Sequence, residues 1–163
     1  MAKKIFPITL YMSEIVYEVK NKTYITGRSR QEDGNYEEVA NMQVNDDEEN
    51  MDEVLRSIGN AFATLKNKLS EYISETENTR IGTDNILLDA TGELVVTLVM
   101  PSNFNLAAKD TIAAGMHQYI VDTAIGNWFD KTNKDDAEGY YTLATANLNL
   151  IREAVNRRVR PRR

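Results

Sequence analysis

The sequence contains no cysteine and a single histidine, His117, among its 163 residues. The lack of cysteine excludes disulfide bonds and metal sites built from thiolates. A histidine-based catalytic site would depend on His117 alone. A lone histidine within a helix is far more often a packing or surface residue than a catalytic base.

The chain also lacks any apolar run close to the roughly 20 residues that span a bilayer. Its longest apolar run, Leu94 to Met100, is interrupted by Thr97. No long apolar region follows the two lysines near the N-terminus, so we expect no secretory signal and no membrane association. Without secretion, the Asn21-Lys22-Thr23 sequon is a chance match.

Familiar catalytic motifs are absent as well. The sequence has no glycine-rich phosphate loop, no GxSxG elbow and no HExxH pair. The run Asp46-Asp47-Glu48-Glu49 could attract a divalent cation, but it lacks the alternating oxygen ligands and central glycine of a calcium loop. Acids at the positive end of a helix explain this run more simply. We therefore predict no catalytic residue, no cofactor and no bound metal.

The net charge of −6 conceals two blocks of opposite sign. The segment Arg152 to Arg163 contains six arginines, and Glu153 is its only acid. The segment Gln31 to Glu53 contains no base and ten acids, namely Glu32, Asp33, Glu37, Glu38, Asp46, Asp47, Glu48, Glu49, Asp52 and Glu53. Such blocks are either solvated segments or interaction surfaces.

We predict that part of each block contacts a partner. The candidate residues are Asp46, Asp47, Glu48 and Glu49 in the acidic block and Arg157, Arg158, Arg160, Arg162 and Arg163 in the basic block. Arginines bind either nucleic acid phosphates or acidic protein surfaces. Because the rest of the chain is strongly acidic and would repel DNA, we favour protein, in particular the acidic block of a neighbouring copy. That contact is head to tail, and it closes into a ring when the rotation permits.

Two regions have the pattern of β-strands. Ile5 to Met12 is apolar, contains one proline and is predicted to be extended. Leu94 to Met100 is apolar, and Thr91-Gly92 separates it from Ile86 to Ala90, which is typical of a β-hairpin. Pro101 is expected to end this strand, because proline cannot donate to the ladder.

The segment Ser13 to Thr26 fits both a strand and a helix. Alternating apolar residues favour a strand, whereas Ser13 as an N-cap and Gly27 as a C-terminal stop favour a helix, which we prefer. Arg28 to Asn41 is polar, has a turn signal at Asp33-Gly34 and is predicted to be a loop or loose hairpin.

Three long helices are predicted at about Asn50 to Glu75, Leu106 to Phe129 and Asp135 to Arg158. The short turn Asp130 to Lys134 implies that the last two form an antiparallel hairpin. The first has a heptad-like seam that either faces the core of the chain or packs against a partner subunit. Its residues are Met51, Leu55, Ile58, Phe62, Leu65, Leu69 and Tyr72.

Together these elements predict a predominantly helical α+β fold with three long helices, including the C-terminal helical hairpin, and a small β-hairpin. We expect residues 1–158 to form a single domain with an extended N-terminal arm and an acidic loop at 28–49. Residues 159–163 are expected to form a basic tail that is flexible unless a partner holds it.

Several stretches resemble small virion proteins from the neck or tail of tailed bacteriophages and prophages of Bacteroides-type bacteria. The stretches that carry the resemblance are His117-Gln118-Tyr119-Ile120-Val121-Asp122, Asn127-Trp128-Phe129, Asp136-Ala137-Glu138-Gly139-Tyr140-Tyr141, Arg157-Arg158-Val159-Arg160-Pro161, Asn21-Lys22-Thr23-Tyr24-Ile25-Thr26-Gly27-Arg28 and Asn45-Asp46-Asp47-Glu48-Glu49-Asn50. The resemblance implies a ring-forming connector, neck or tail-completion subunit and no catalytic residue.

The implied protein is made in the bacterial host cytoplasm and resides in the virion. Its implied partners are copies of itself and other virion proteins such as portal, neck or tail subunits. Two other functions fit the sequence. One is a small nucleic-acid-associated or regulatory protein that uses the arginine-rich tail, and the other is an enzyme whose carboxylates meet only in the folded chain.

Overall fold

The computed structural model describes residues 2–74 and 90–162. It has the predicted α+β architecture, predominantly helical with a small antiparallel sheet. Short 3-10 turns lie at Ser70–Tyr72 and Leu106–Ala108. In chain order the main elements are β1 (Lys4–Tyr11), α1 (Met12–Ser29), α2 (Tyr36–Met42), α3 (Glu48–Lys68), β2 (Glu93–Met100), α4 (Lys109–Thr132) and α5 (Lys134–Val155).

Strands β1 and β2 pair with each other although they are far apart in the sequence. Phe6 lies opposite Leu98 and Ile8 lies opposite Val96, so every second side chain faces the core. The predicted extended N-terminal arm is therefore part of the sheet from Lys4 onward. Residues 86–89 of the predicted hairpin lie outside the described residues.

The preferred helical interpretation of Ser13 to Thr26 is confirmed by α1. Ile15, Val19 and Thr23 are fully buried on one face of this helix. The helix continues past Gly27 to Ser29, so Gly27 is not the predicted stop. A Cβ atom at Gly27 would lie 3.2 Å from the Val39 carbonyl oxygen, so glycine allows α2 to pack closely here.

The predicted acidic loop at 28–49 contains the short helix α2, which we did not predict. Two contacts fix the chain after α2. The Trp128 indole donates to the Met42 carbonyl oxygen at 2.8 Å, and the buried Val44 N–H donates to Thr23 Oγ1 at 3.2 Å. Burial of Met42 and Val44 thus anchors an otherwise polar segment.

Helix α3 is the first of the three predicted long helices, although it ends at Lys68 instead of near Glu75. The residues of its seam are buried or half-buried within the same chain, and Ile58 and Leu65 are almost completely buried. The seam therefore contributes to the core of this chain.

Helices α4 and α5 form the predicted antiparallel hairpin, and only Asn133 separates them. Helix α4 is buried on several sides because it packs against α1, α3 and α5. Gly115 allows the close approach to α5, since a Cβ atom there would lie 2.6 Å from Ile151 Cγ1.

The basic segment begins earlier than predicted and is partly fixed. Helix α5 ends at Val155, three residues before the predicted end. Asn105 N–H donates to the Arg157 carbonyl at 3.1 Å, and Val159 N–H donates to the Asn103 carbonyl at 2.9 Å. Backbone hydrogen bonds therefore hold Arg157 to Val159, so the predicted flexible tail does not begin at Val159.

Candidate assembly surfaces

Helix α3 connects two ends of the molecule. Near its start, Lys131 in the last turn of α4 forms an ion pair with Glu53. Just after its end, the Tyr72 hydroxyl donates to Asn156 Oδ1 at 3.3 Å, next to the end of α5. A helix of 21 residues is about 30 Å long, so these two ends lie roughly that far apart.

The first end carries the predicted acidic residues, and we call it the acidic end. Asp47, Glu48 and Glu49 are exposed and begin α3, where the helix dipole favours negative charge. Asp46 is also exposed and forms an ion pair with Lys20. The surface comprises Glu32, Asp33, Glu37, Glu38, Asp46, Asp47, Glu48 and Glu49, all of which are exposed.

The turn between α4 and α5 adjoins the acidic end and carries charges of both signs. One cleft there is lined by the acids Glu32, Glu38 and Asp135 and by the bases Arg30 and Lys134. The neighbouring Asp136 accepts two hydrogen bonds from Arg30, at 2.6 and 3.1 Å. These hydrogen bonds lower the pKa of Asp136 below its ordinary value, so this carboxylate is used within the chain.

The second end carries the predicted arginines, and we call it the basic end. Arg157 forms an ion pair with Glu153, and Arg158 Nη1 donates to the Val155 carbonyl at 2.9 Å. Arg160 and Arg162 are exposed, and Arg163 lies outside the described residues. The exposed Lys68, in the last turn of α3, and the exposed Glu71, in the turn that follows, add one positive and one negative charge near this end.

The two predicted surfaces do not meet within one chain. Across residues 2–74 and 90–162, no hydrogen bond or ion pair joins Asp46 to Glu49 with Arg157 to Arg162. Helix α3, which is about 30 Å long, lies between Glu48 and Lys68, and this length exceeds the screening length of about 8 Å at physiological salt. Interactions between charges at the two ends of α3 are therefore largely screened by salt.

The middle of the molecule contains a polar network that we did not predict. His117 Nε2 on α4 lies 2.8 Å from Glu18 Oε1 on α1, and Gln118 donates to Glu18 Oε2 at 3.1 Å. Burial raises the pKa of Glu18, but His117, Gln118 and Lys22 outweigh this effect, so its pKa lies below the ordinary value. His117 thus has a partner that joins α1 to α4.

Asp122 on α4 is the most buried member of this network, with 3% of its surface exposed. Its Oδ2 accepts from Asn147 of α5 at 3.0 Å. Its Oδ1 accepts no hydrogen bond and lies 3.7 Å from the Lys22 ammonium of α1. Burial raises the pKa of Asp122 although Lys22 and Asn147 lower it. A sequence signal existed, because Asp122 is a lone acid within the apolar stretch of α4.

The described residues contain neither a cluster suited to a metal ion nor a helix suited to a membrane. Within them, no group of three or more histidine or acidic side chains is arranged to hold a metal ion. In the same part of the chain, no helix combines the length and apolar character needed to cross a bilayer. A comparison with protein-family models, curated proteins and solved structures found no significant match to this chain.

Proposed function

We propose that this protein is a non-catalytic structural subunit of a tailed-phage virion, a component of a neck, head–tail connector or tail-completion ring. The observation that carries the proposal is the separation of opposite charges at the two ends of a helical body. The resemblance of the sequence to small phage neck and tail proteins supports the particle to which we assign it.

The charge distribution favours a head-to-tail contact between copies. The basic end of one copy is complementary to the acidic end of the next, and neither surface is neutralised by the other within a chain. A contact between two different surfaces repeats from copy to copy and gives a closed ring or an open filament. Electrostatic complementarity of this kind sets orientation and the rate of association.

The experiment is light scattering at low and high salt. We expect an oligomer at low salt whose mass falls at about 1 M salt, where the screening length is about 3 Å and contacts between charged ends are lost. We expect Arg160→Gln with Arg162→Gln to weaken self-association at least about tenfold, which corresponds to about 1.4 kcal/mol. The control, Arg28→Gln with Arg56→Gln, removes the same charge from exposed positions outside the basic end. Equal association of both variants would contradict the proposal.

The second candidate function is nucleic acid binding through Arg160 and Arg162, whose exposure favours it. Retention on DNA at physiological salt, lost in the Arg160→Gln and Arg162→Gln variant, would support this function. The acidic end, which lies on the same rigid chain, opposes binding to a polyanion. We therefore expect the protein to pass through a DNA column unretained.

A further inference from the structure

Strand β1 has one paired edge and one open edge. On its paired side β2 runs antiparallel over the full length of the strand. On the other side, no backbone hydrogen bond from Ile5, Pro7 or Thr9 to another segment is found among the described residues, whereas the carbonyl of Tyr11, the N-cap of α1, accepts in the first turn of that helix. An open edge of eight residues is long, and such edges pair readily with another strand.

The direction of each backbone group follows from the ladder. Met12 N–H donates to the Gly92 carbonyl at 3.0 Å, in register with the pair Leu10 and Leu94. Because hydrogen-bonded residues alternate along an antiparallel strand, the even-numbered residues of β1 bond to β2. The N–H groups of Ile5, Thr9 and Tyr11 and the C=O groups of Ile5, Pro7 and Thr9 point to the open edge, and the Tyr11 C=O also accepts in the first turn of α1. Pro7 is odd-numbered, and proline is found where its nitrogen faces the open side of an edge strand.

The outer face of β1 is uncharged and largely uncovered. Ile5 is 62% exposed and Tyr11 is 51% exposed, and Pro7 is exposed between them. Natural edge strands usually prevent pairing with an inward-pointing charge or a very short strand. Two such features occur in β1: Pro7 removes one donor, and Lys4, on the inward face, donates to the Phe104 carbonyl of its own chain at 2.8 Å.

We propose that two copies of the chain pair through β1, antiparallel and around a two-fold axis at Ile8, to form a four-stranded sheet. In this register Ile5 of one copy lies opposite Tyr11 of the other, and Pro7 lies opposite Thr9. Every open N–H group, at Ile5, Thr9 and Tyr11, then meets a carbonyl of the other copy. A register centred on Pro7 would place two residues without an N–H opposite each other and lose those bonds.

Charge complementarity also favours the antiparallel arrangement. Lys3 lies just before β1, and Glu14 lies just after it in the first turn of α1. Both are exposed, and no ion pair of either is found in the described part of the chain. Antiparallel pairing brings the basic start of each strand to the acidic end of the other, whereas parallel pairing would place Lys3 beside Lys3.

This inference is independent of the proposed function, and high salt separates the two. In about 1 M salt, contacts between charged ends are screened, whereas pairing through backbone hydrogen bonds persists. Amide exchange of the unmodified protein, followed by NMR at low and high protein concentration, tests the proposal residue by residue. We expect the Ile5, Thr9 and Tyr11 amides to exchange at least about tenfold more slowly at high concentration.

The Phe6, Ile8 and Leu10 amides provide the internal control, since they bond to β2 and should be protected at every concentration. Thr9→Pro removes one donor from the open edge and none from the β1–β2 ladder, whereas Thr9→Val keeps the donor. We expect light scattering in high salt to show a dimer for Thr9→Val and a monomer for Thr9→Pro. Ile5, Thr9 and Tyr11 amides that exchange freely at every concentration would overturn the proposal, as would a high-salt dimer of Thr9→Pro.

Discussion

The middle of the molecule and its two ends use charged side chains in opposite ways. In the middle, the Lys22 ammonium lies 3.6 Å from Glu18 and 3.7 Å from Asp122. At the ends, Glu48 and Arg160 are exposed to solvent. A charge that is removed from water must be compensated within the chain, whereas an exposed charge costs little and is available to a partner. Substitutions in the middle should therefore change stability, and substitutions at the ends should change association.

The largest loss of stability is expected at the contact between α4 and α5. Gly115→Val would place side-chain atoms where Ile151 Cγ1 already lies, because a Cβ atom alone approaches it to 2.6 Å. We expect a loss of about 1–3 kcal/mol in the free energy of unfolding, measured by urea denaturation.

Gly139→Ala is the matched control on α5, since a Cβ atom there would meet no atom within 4 Å. It should stabilise the protein by up to about 1 kcal/mol, because glycine is unfavourable within a helix. Equal stability of Gly115→Val and the unmodified protein would contradict the close packing of the hairpin.

A smaller loss is expected for Lys22→Met. This substitution leaves the buried Asp122 carboxylate without its cation, 3.7 Å away. Breaking a fully buried pair costs about 3–5 kcal/mol, but Lys22 is 35% exposed, so we expect about 1–2 kcal/mol. The double variant Lys22→Met with Asp122→Asn should recover most of this loss. If the loss of stability in the double variant equals the sum of the losses in the two single variants, the two residues do not interact.

Asp122→Asn should change the stability of the protein less than Lys22→Met does. The sign of this change and its dependence on pH follow from the pKa of Asp122. Because burial raises the pKa of Asp122, the folded protein binds this proton more tightly than the unfolded chain. Stability therefore falls as the pH rises above about 3.9, the ordinary pKa of an aspartate, and levels off above the folded pKa. Asp122→Asn removes this loss, so it should exceed the unmodified protein in stability at pH 7 and match it below pH 3.9. A stability difference that grows as the pH falls would contradict the raised pKa.

The long helices could be predicted because their apolar spacing is a local property of the sequence. The periodicity of Leu55, Ile58 and Leu65 identifies a helix whatever it packs against. Helix α2 has only seven residues, and Met42 is the only fully buried one among them, so no pattern predicted it. Short elements of this kind depend on tertiary contacts such as that between Met42 and Trp128.

Contacts between distant segments could not be predicted, because they depend on the tertiary structure and not on a local pattern in the sequence. The pairing of β1 with β2 joins residues about 90 positions apart, as Pro7 and Thr97 show. The site residues were predicted as two charged blocks, but their placement at opposite ends depends on the direction of α3. The central network depends on which faces of α1, α4 and α5 meet, and a single sequence does not specify this.

The smallest effect on stability is expected at the acidic end. The variant carries three substitutions, Asp47→Asn, Glu48→Gln and Glu49→Gln. Each removes an exposed charge whose interaction with the α3 dipole is worth less than about 1 kcal/mol. Combined with Thr9→Pro, which prevents pairing through β1, the same variant should lose self-association, which light scattering at low salt would show. A large drop in stability with unchanged association would contradict the claim that charges at the ends serve association and not stability.

The most direct test of head-to-tail assembly mixes two variants at low salt and measures mass by native mass spectrometry. One carries Asp47→Asn, Glu48→Gln and Glu49→Gln, the other carries Arg160→Gln and Arg162→Gln, and both carry Thr9→Pro to prevent pairing through β1. Each variant alone should be monomeric. The mixture should form a 1:1 dimer and nothing larger, because the intact basic end of the first variant meets the intact acidic end of the second. A mixture that stays monomeric, or a single variant that still assembles, would contradict assembly through these two surfaces.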